Sequence, residues 1–355
     1  MPRCRTRSPP GAKASGGSGC RRSSTRPENS PEPLLKREII YSIETAHRAK
    51  ERDHMVTTVG YVGLGNMGGR LARRLQREHT LTVYDRSAAT IDALVELGAT
   101  AAPSAAAVAA ASDIVFLCLP TSAHVRSALF DAEGVLAGAQ PGTLIVDQTT
   151  GDPAQTRAMA AEVAERGCVL VDAPVSGGPM GADAGTIAIM VGAPDEVFAR
   201  LQPILTVISP NVFHAGDVGC GHVIKLANNL LSAVHRAVSL EALALAQKNG
   251  VDGERALDIL LASSGRNFYL ETFVRSHVLS GKLTSGFTLE LLHKDARLAT
   301  QLGDHSGVPM FFGALAKEFY QLCINDQGPG AEVNNAALVM DRLAGTHLVP
   351  VNAEA

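Results

Sequence analysis

A glycine-rich run at residues 63–68 is the clearest feature of the sequence that could carry chemistry. Gly63, Gly65 and Gly68 have the spacing G-x-G-x-x-G and directly follow the apolar run 58–62. In such a turn the first glycine permits a tight bend, the second lets the backbone approach a pyrophosphate, and the third lets the next helix pack on the strand. Free N–H groups at the start of that helix favour an anion. The predicted dinucleotide-binding turn comprises Gly63, Leu64, Gly65, Asn66, Met67 and Gly68.

An acidic residue at the end of the second predicted strand supports this interpretation. Asp85 lies 22 residues after Gly63, where a carboxylate binds the ribose 2′-hydroxyl of a dinucleotide. A carboxylate at this position repels a 2′-phosphate and favours NAD, whereas Arg86 beside it could bind that phosphate. We therefore expect NAD as the cofactor, with NADP as the open alternative.

The elements that would position these residues alternate between short apolar runs and helical segments. Helical stretches such as 69–78 and 88–97 separate the runs, and Asp152 with Pro153 marks the start of another helix at 154–166. This alternation predicts a Rossmann-type, doubly wound parallel sheet with helices on both faces, which is an α/β fold. The predicted strands are 58–62, 81–84, 114–119, 144–146, 169–171 and 187–191.

The pattern changes after about residue 216. Residues 222–248 are rich in Ala and Leu and contain no Pro or Gly, and further helical segments follow. We therefore predict an all-α second domain after the Rossmann domain. The predicted divisions are a disordered basic tail at 1–54, an NAD(P)-binding domain at 55–216, a helical substrate and dimerisation domain at 217–345, and a frayed C-terminus at 346–355.

Charge and cysteine content narrow the class of protein. Residues 1–54 hold 12 Lys/Arg and 6 Asp/Glu, so the remainder has 20 basic and 29 acidic residues and a net charge of −9. An acidic body argues against nucleic acid as a partner, and no apolar run is long enough to span a membrane. The six cysteines form no C-x-x-C pair and no metal-ligand cluster, which fits a reducing compartment. We expect a cytoplasmic protein without a metal. The Arg- and Ser-rich first 27 residues leave an organellar matrix as the alternative.

At this point the sequence resembles the β-hydroxyacid dehydrogenase family, whose best-known members act on 3-hydroxyisobutyrate. Four stretches carry the resemblance and occur in the correct order between residues 57 and 345. They are the glycine turn 63–68, Asp-Ala-Pro-Val-Ser-Gly-Gly at 172–178, the run 216–229, and the pair Lys294-Asp295. The family usually has leucine after this pair, where Ala296 stands here.

The resemblance implies which residues act on the substrate. The family's catalytic lysine corresponds to Lys225 and its substrate-binding amide to Asn229, and the loop that holds the substrate carboxylate corresponds to Ser176, Gly177 and Gly178. Lys225 and Asn229 are four residues apart on a predicted helix, so they share one face. Oxidising an alcohol needs a base for the hydroxyl proton, and Lys225 could serve if burial and the positive nicotinamide lower its pKa.

Further cofactor contacts follow from the same resemblance. Lys294 matches a lysine that closes over cofactor and substrate, and Thr150 matches a position near the nicotinamide. Leu119 and Pro120 match the lining of the adenosine side. His124 follows that strand end, so we assign it to the cofactor site, although a solvated loop histidine is an equally good interpretation. His222 and His235 have no metal-ligand partners at useful spacing, so we interpret them as ordinary helix residues, and Cys220 lacks a base partner, so we interpret it as a residue that only fills space.

Together these features predict an oxidoreductase that transfers a hydride between NAD(P) and a small 3-hydroxy acid, or its semialdehyde or keto form. An imine reductase on the same scaffold and a non-catalytic dinucleotide sensor are the alternatives. Lys225 argues against the first, because a lysine suits alcohol deprotonation. The set Ser176, Lys225, Asn229 and Lys294 argues against the second, because a sensor needs only the Rossmann half.

Two expectations concern the helical half. Arg266 could reach the substrate pocket and bind a second anionic group of the substrate. The long first helix should expose apolar residues that a second copy of the chain would cover, which predicts a homodimer or homotetramer. Burial of these residues within their own domain is the alternative. The residues concerned are Leu230, Leu231, Leu240, Leu243 and Leu245.

Overall fold

The structure is a computed structural model that describes residues 57–350. The predicted basic tail at 1–54 and residues 351–355 lie outside the described range. Within it, the first half of the chain forms a nine-stranded sheet with flanking helices, and the second half is helical. The predicted α/β sheet followed by an all-α region is confirmed.

Six strands of the sheet run parallel in the spatial order β3-β2-β1-β4-β5-β6. The chain reverses its direction of winding between β1 and β4, so the loops at their carboxyl ends diverge and leave a crevice for a ligand. The strands are almost entirely apolar because helices cover both faces. They are β1 Val59–Val62, β2 Leu81–Tyr84, β3 Thr100–Ala101, β4 Ile114–Leu117, β5 Leu144–Asp147 and β6 Val169–Asp172.

Three short strands complete the sheet, and the direction of one of them, β8, differs from the prediction. They are β7 Val175–Ser176, β8 Ala188–Gly192 and β9 Val212–Gly216. β8 pairs antiparallel with β6 and β7, and parallel with β9. An apolar run predicts a buried strand but carries no information on its direction, so the expectation of a parallel strand at 187–191 is wrong for its pairing with β6.

Three helices of the first half begin at a residue whose side chain caps the helix, and Asp152 is one of these residues. The Asp152 carboxylate accepts hydrogen bonds from the backbone N–H groups of Ala154 and Gln155 at 2.8 and 3.4 Å, and Pro153 is the first helical residue. The predicted helix start is therefore confirmed, although the helix ends at Ala164 rather than at residue 166. The helices are α1 Gly68–Leu75, α2 Ala88–Val95, α3 Ala105–Ala110, α4 Ser122–Phe130, α5 Val135–Gly138, α6 Pro153–Ala164, α7 Gly178–Ala184 and α8 Asp195–Ile208.

The second half is built around one long helix, α9. This helix packs against the other long helices of its own half and also against β8 and β9, so it belongs to both halves. The second core contains Leu257, Val274 and Tyr320, all fully buried. The helices are α9 Cys220–Lys248, α10 Gly253–Leu261, α11 Leu289–Ser306, α12 Phe311–Gln327 and α13 Ala336–Ala344, with a π-helix at Leu270–Leu279 and a 3-10 turn at Val333–Asn335. Within residues 57–350 no helix is long and apolar enough to cross a membrane.

The chain after α13 is packed rather than frayed at its start. Leu348 and Val349 are buried in the second core. The Asp341 carboxylate accepts hydrogen bonds from their N–H groups at 2.8 and 2.9 Å and from the Thr346 hydroxyl at 2.7 Å. The expectation of a frayed segment from residue 346 is therefore wrong for 346–350, because one buried carboxylate satisfies the backbone donors of this turn.

Candidate active site

A cleft of about 1270 Å³ lies between the two halves. It opens at the carboxyl ends of β1, β4 and β5, where the sheet topology predicts a ligand site. Every predicted site residue lines it except Leu64, which is buried in the core and contributes only its backbone. The predicted residues that line the cleft are Gly63, Gly65, Asn66, Met67, Gly68, Asp85, Arg86, Leu119, Pro120, His124, Thr150, Ser176, Gly177, Gly178, Lys225, Asn229 and Lys294.

The glycine turn has the geometry that a pyrophosphate requires. Gly63 has a φ of +93°, and a Cβ there would lie 2.4 Å from the Cys118 carbonyl oxygen. A Cβ on Gly68, the first residue of α1, would lie 1.9 Å from the Gly63 carbonyl oxygen. A Cβ on Gly65 would meet nothing within 4 Å, so this glycine faces open space. The backbone and the start of α1 therefore fit a dinucleotide phosphate.

The residues after β2 combine a carboxylate and a cation. The Asp85 carboxylate accepts hydrogen bonds from the backbone N–H groups of Leu64 at 2.6 Å and Ser87 at 2.8 Å, which hold it against the glycine turn. Arg86 beside it is exposed and also lines the cleft. The carboxylate suits a ribose 2′-hydroxyl, and the guanidinium could reach a 2′-phosphate.

One buried carboxylate holds the start of α9 on the sheet. Asp172 ends β6, and its two oxygens accept hydrogen bonds from the backbone N–H groups of Gly219 at 2.6 Å and His222 at 2.7 Å. A Cβ on Gly221 would lie 2.2 Å from the Met190 carbonyl oxygen, so only glycine lets the helix approach this closely. The first turn of α9, one turn before Lys225, is thus fixed to the Rossmann sheet.

His222 has a role that the sequence interpretation missed. Its ring is fully buried beneath the cleft, where Nε2 donates to the Thr149 carbonyl at 2.8 Å and Nδ1 lies 3.0 Å from the Thr156 hydroxyl. Its Nε2 lies 4.0 Å from the carboxylate of Asp147, whose pKa is raised by burial. Asp147 and Asp172 pair in register at the ends of β5 and β6. Acidic residues ending two successive buried strands were a signal that could have pointed to this cluster.

Lys225 is buried in the cleft, with 7% of its surface exposed. Burial lowers its pKa to about 8; the negative charge of Asp295 opposes this effect and the positive charge of Lys294 adds to it. Asn229 lies one turn further along α9, and its amide donates to Asp295 Oδ2 at 2.6 Å. A lysine with this pKa can both accept and donate a proton near neutral pH.

Lys294 joins the two halves across the cleft. Its Nζ donates to the carbonyl oxygens of Thr150 at 2.8 Å and Pro120 at 3.1 Å, at the ends of β5 and β4. It also pairs with Asp295 at 3.1 Å, but its side chain is 12% exposed, so this is not a surface ion pair. His124, near the same strand end, is exposed and makes a 2.7 Å contact with Thr121 Oγ1.

The loop at Ser176–Gly178 faces the cleft from the Rossmann half. Gly177 and Gly178 have φ of +135° and +65°, which favour glycine, and a Cβ on Gly178 would meet nothing within 4 Å. Ser176 Oγ accepts a hydrogen bond at 3.1 Å from the Asn228 amide on α9. A loop of this shape can receive a carboxylate on its backbone N–H groups.

The cation that lines the far side of the cleft is not the predicted one. Arg266 is exposed and does not line the cleft, so its expected place in the substrate pocket is wrong. Arg236 lines the cleft instead, together with Tyr269 and Phe273. Arg236 lies 11 residues after Lys225, which puts both on one helix face, so helical periodicity could have found it.

Comparisons with known proteins agree with this geometry. The family described as "NAD binding domain of 6-phosphogluconate dehydrogenase" matches residues 58–216, and "NAD-binding of NADP-dependent 3-hydroxyisobutyrate dehydrogenase" matches 219–340. A 2-(hydroxymethyl)glutarate dehydrogenase from Eubacterium barkeri is 40% identical over 264 residues, or 74% of this chain and 88% of that protein. The chain belongs to the β-hydroxyacid dehydrogenase family. It is therefore an NAD(P)-dependent oxidoreductase of small hydroxy acids, as the resemblance implied.

Two further matches support the same family. An NAD-dependent L-serine dehydrogenase from Pseudomonas aeruginosa is 36% identical over 273 residues, covering 75% of this chain and 92% of that one. The structure of Mycobacterium tuberculosis 3-hydroxyisobutyrate dehydrogenase with L-serine aligns at a TM-score of 0.71 and 28% identity, covering 81% and 99% of the two chains. Imine reductases align at 19–20% identity with TM-scores of 0.52–0.55, which shows a shared fold alone.

The Asp172 contacts lead to a first prediction. Asp172→Ala leaves two backbone N–H groups buried without acceptors, and we expect a loss of about 2 to 4 kcal/mol in the free energy of unfolding. Because the start of α9 is released, kcat should fall while cofactor affinity changes little. Urea unfolding, cofactor titration and steady-state kinetics measure these quantities. Asp92→Ala, at an exposed carboxylate on α2, is the control. Equal stability of the two variants would contradict the prediction.

Proposed function

We propose that the protein interconverts a small 3-hydroxy acid and its semialdehyde or keto form, with Lys225 as the general acid and base. The observation that carries this proposal is the buried Lys225 amine with a pKa near 8, on the same helix face as Asn229 and in the same cleft as the Ser176–Gly178 loop. The relatives named above act on hydroxy acids with the hydroxyl on a carbon beside the α-carbon, which supports the choice of class.

The roles of the residues follow from their chemistry. The substrate carboxylate lies on the N–H groups of the Ser176–Gly178 loop, and Asn229 binds the substrate hydroxyl or carboxylate through its amide. Neutral Lys225 accepts the hydroxyl proton at Nζ during oxidation and returns it to the carbonyl oxygen during reduction. Bound NAD(P) supplies the hydride acceptor or donor. Lys294 ties α11 to the ends of β4 and β5, which narrows the cleft around the reacting groups.

The proposed cofactor is NAD rather than NADP. The support is the Asp85 carboxylate, which two backbone N–H groups hold beside the glycine turn, where the ribose of a dinucleotide would lie. A 2′-phosphate would have to lie beside this negative charge, with only Arg86 to compensate it. Replacing Asp85 by Ser should therefore raise kcat/KM with NADP relative to NAD.

The location and assembly of the protein are also proposals. We propose a cytoplasmic enzyme, in keeping with the four free cysteines of the described range: Cys118, Cys168, Cys220 and Cys323.

For assembly, the prediction of exposed leucines is partly wrong, because Leu240 and Leu243 are buried within their own half. A different stripe supports association. Every seventh residue of one α9 face is apolar and exposed, at 47–68%: Ile224, Leu231, Val238 and Leu245. We propose that a second copy of the chain covers this stripe.

The catalytic role of Lys225 gives a second prediction. Lys225→Met keeps the volume of the side chain and removes the base, so kcat for hydroxy acid oxidation should fall about a thousandfold, whereas affinity for NAD should be retained. Kinetics on a panel of 3-hydroxy acids, followed by nicotinamide absorbance, and calorimetry with NAD measure the two effects. Lys248→Met, at the exposed end of the same helix, is the control. If Lys225→Met kept wild-type turnover, the proposed role of Lys225 as general acid and base would be wrong.

The pKa of Lys225 gives a third prediction. Only the neutral amine accepts a proton, so kcat/KM for oxidation should rise with pH and level off above about pH 8. Asp295→Asn removes a negative charge that favours the charged amine, which lowers the pKa and moves the profile to lower pH. Initial rates from pH 6 to pH 10 with the same cofactor measure the shift. The exposed Asp258→Asn should leave the profile in place, and a profile unmoved by Asp295→Asn would argue against Lys225 as the titrating base.

The apolar stripe gives a fourth prediction. Val238→Glu combined with Leu245→Glu places two charges on the stripe without touching the cleft. We expect this variant to sediment as a monomer where the wild type sediments as a dimer or tetramer, because buried unpaired carboxylates disfavour the interface. Sedimentation velocity measures the mass, and Lys248→Glu on the same helix controls for added negative charge. A monomeric wild type would rule out the interface.

A further inference from the structure

A cationic corner of the cleft has no part in the proton transfer just described. We call it the Arg236 corner and define it by Arg236, Tyr269, Phe273 and Asn334. Arg236 and Tyr269 line the cleft but are only 4% and 3% exposed. The guanidinium carbon lies 4.3 Å from the ring centroid of Tyr269 and 5.2 Å from that of Phe273. Both side chains are thus held in place by packing.

The polar groups of this corner are only partly satisfied. Arg236 Nη1 donates to Asn334 Oδ1 at 2.5 Å, and the Asn334 amide in turn donates to the Leu283 carbonyl at 2.8 Å. Arg236 Nε is buried and has no hydrogen-bond partner among residues 57–350, and the buried Tyr269 hydroxyl has no partner there other than the Arg236 guanidinium. Within that range no acidic side chain forms an ion pair with Arg236. The corner therefore presents a positive charge without an anionic partner.

A buried guanidinium without an acidic partner favours the binding of an anion. Buried charges in proteins are normally paired, since an unpaired one costs several kcal/mol. The two aromatic rings compensate only part of that cost, at about 0.5 to 2 kcal/mol for a cation–π contact. A carboxylate could accept two parallel hydrogen bonds from a guanidinium and a third from a tyrosine hydroxyl. The open side of the corner is the cleft, so the anion would arrive with a ligand.

The position of the corner indicates which ligand this is. Lys225, Asn229 and Arg236 lie on one face of α9, and Arg236 is 11 residues, or about 16 Å of helix rise, beyond Lys225. The Ser176–Gly178 loop and Lys225 lie towards the start of this helix. A substrate with its reacting end there could extend along α9 and place a second charged group at Arg236.

We propose that Arg236, assisted by Tyr269, binds a second carboxylate of the substrate and so selects dicarboxylic 3-hydroxy acids over monocarboxylic ones. This inference rests on the proposed hydroxy acid oxidation and adds its specificity. Arg236 here binds the non-reacting end of the substrate and takes no part in proton transfer. Its loss should therefore act on the discrimination between substrates.

The test compares two substrates that differ only at the distal end. One is a 2-(hydroxymethyl) α,ω-dicarboxylate, tested as a series from glutarate to sebacate because the helix rise to Arg236 exceeds the length of glutarate, and the other is the matching ω-carboxamide, which is neutral at that end. The wild type should prefer the dicarboxylate, and Arg236→Met should lower the ratio of the two kcat/KM values by about tenfold to a hundredfold. Arg236→Lys should restore part of the ratio, because it restores the charge. Tyr269→Phe should lower it less, because it removes one hydrogen bond.

Matched controls separate this effect from general damage. Arg266→Met removes an exposed guanidinium outside the cleft and should leave the ratio unchanged. NAD affinity of Arg236→Met, measured by calorimetry, reports whether the variant is folded. A wild type that uses the carboxamide as well as the dicarboxylate, or an Arg236→Met variant with an unchanged ratio, would overturn the proposal while hydroxy acid oxidation stands.

A binding experiment that needs no turnover distinguishes the two proposals. The α,ω-dicarboxylates from glutarate to sebacate carry both carboxylates and no hydroxyl, whereas the monocarboxylates of matching chain length carry one carboxylate. In the presence of NAD, at least one of these dicarboxylates should raise the Tm of the wild type more than its matched monocarboxylate does, and Arg236→Met should abolish this difference. If no hydroxy acid is oxidised but the dicarboxylate still raises the Tm more, the corner is an anion site and the proposed reaction is wrong. Equal Tm shifts with dicarboxylate and monocarboxylate at every chain length would contradict the proposed anion site.

Discussion

The hydrogen bonds from the first turn of α9 to the Asp172 carboxylate are the constraint on which the cleft depends. Asp172 belongs to the sheet, and Gly219 and His222 belong to the helix that carries Lys225. The carboxylate satisfies two N–H groups that a helix start leaves free, and its charge suits the positive end of the helix dipole. Because this carboxylate is buried and only glycine fits at position 221, the start of the helix that carries Lys225 is held close to the sheet.

The charged groups around Lys225 contact one another, so a substitution at one of them changes the surroundings of the others. Asp295 pairs with Lys294 and accepts from Asn229, and it also favours the charged form of Lys225. Lys294 in turn uses its remaining donors on two strand-end carbonyls of the other half. The Asp295 carboxylate thus interacts with both lysines. At Lys225 the effect of burial, which lowers the pKa, is larger than the effect of this carboxylate, which raises it. The result is a buried amine whose pKa is lowered to about 8, beside contacts that also join the two sides of the cleft.

The sequence predicted the parts of this site that depend on local rules. The glycine turn, the Asp152 cap and the helix carrying Lys225 and Asn229 each follow from spacing along a few residues. Two of the missed features depend on partners far apart in the chain: Asp172 with His222, and Arg236 with Asn334. Arg266 and Arg236 illustrate the difference. Both are arginines on the helical half, and only packing decides which one lines the cleft.

The two halves contribute different kinds of chemical groups to the cleft, and this difference bears on substrate specificity. The Rossmann half supplies mainly backbone groups to the cleft, at the glycine turn and at Ser176–Gly178, and these can bind any phosphate or carboxylate of suitable shape. Around Lys225 the charged side chains come from the helical half, on α9 and α11. Along α9, Lys225 and Asn229 come first, and Arg236 follows about three turns later. In the proposed function, a change at position 236 would therefore alter recognition of the distal end of the substrate without disturbing the Asp172 contacts or the environment of Lys225, so one helix could keep the reaction constant while its substrate varies.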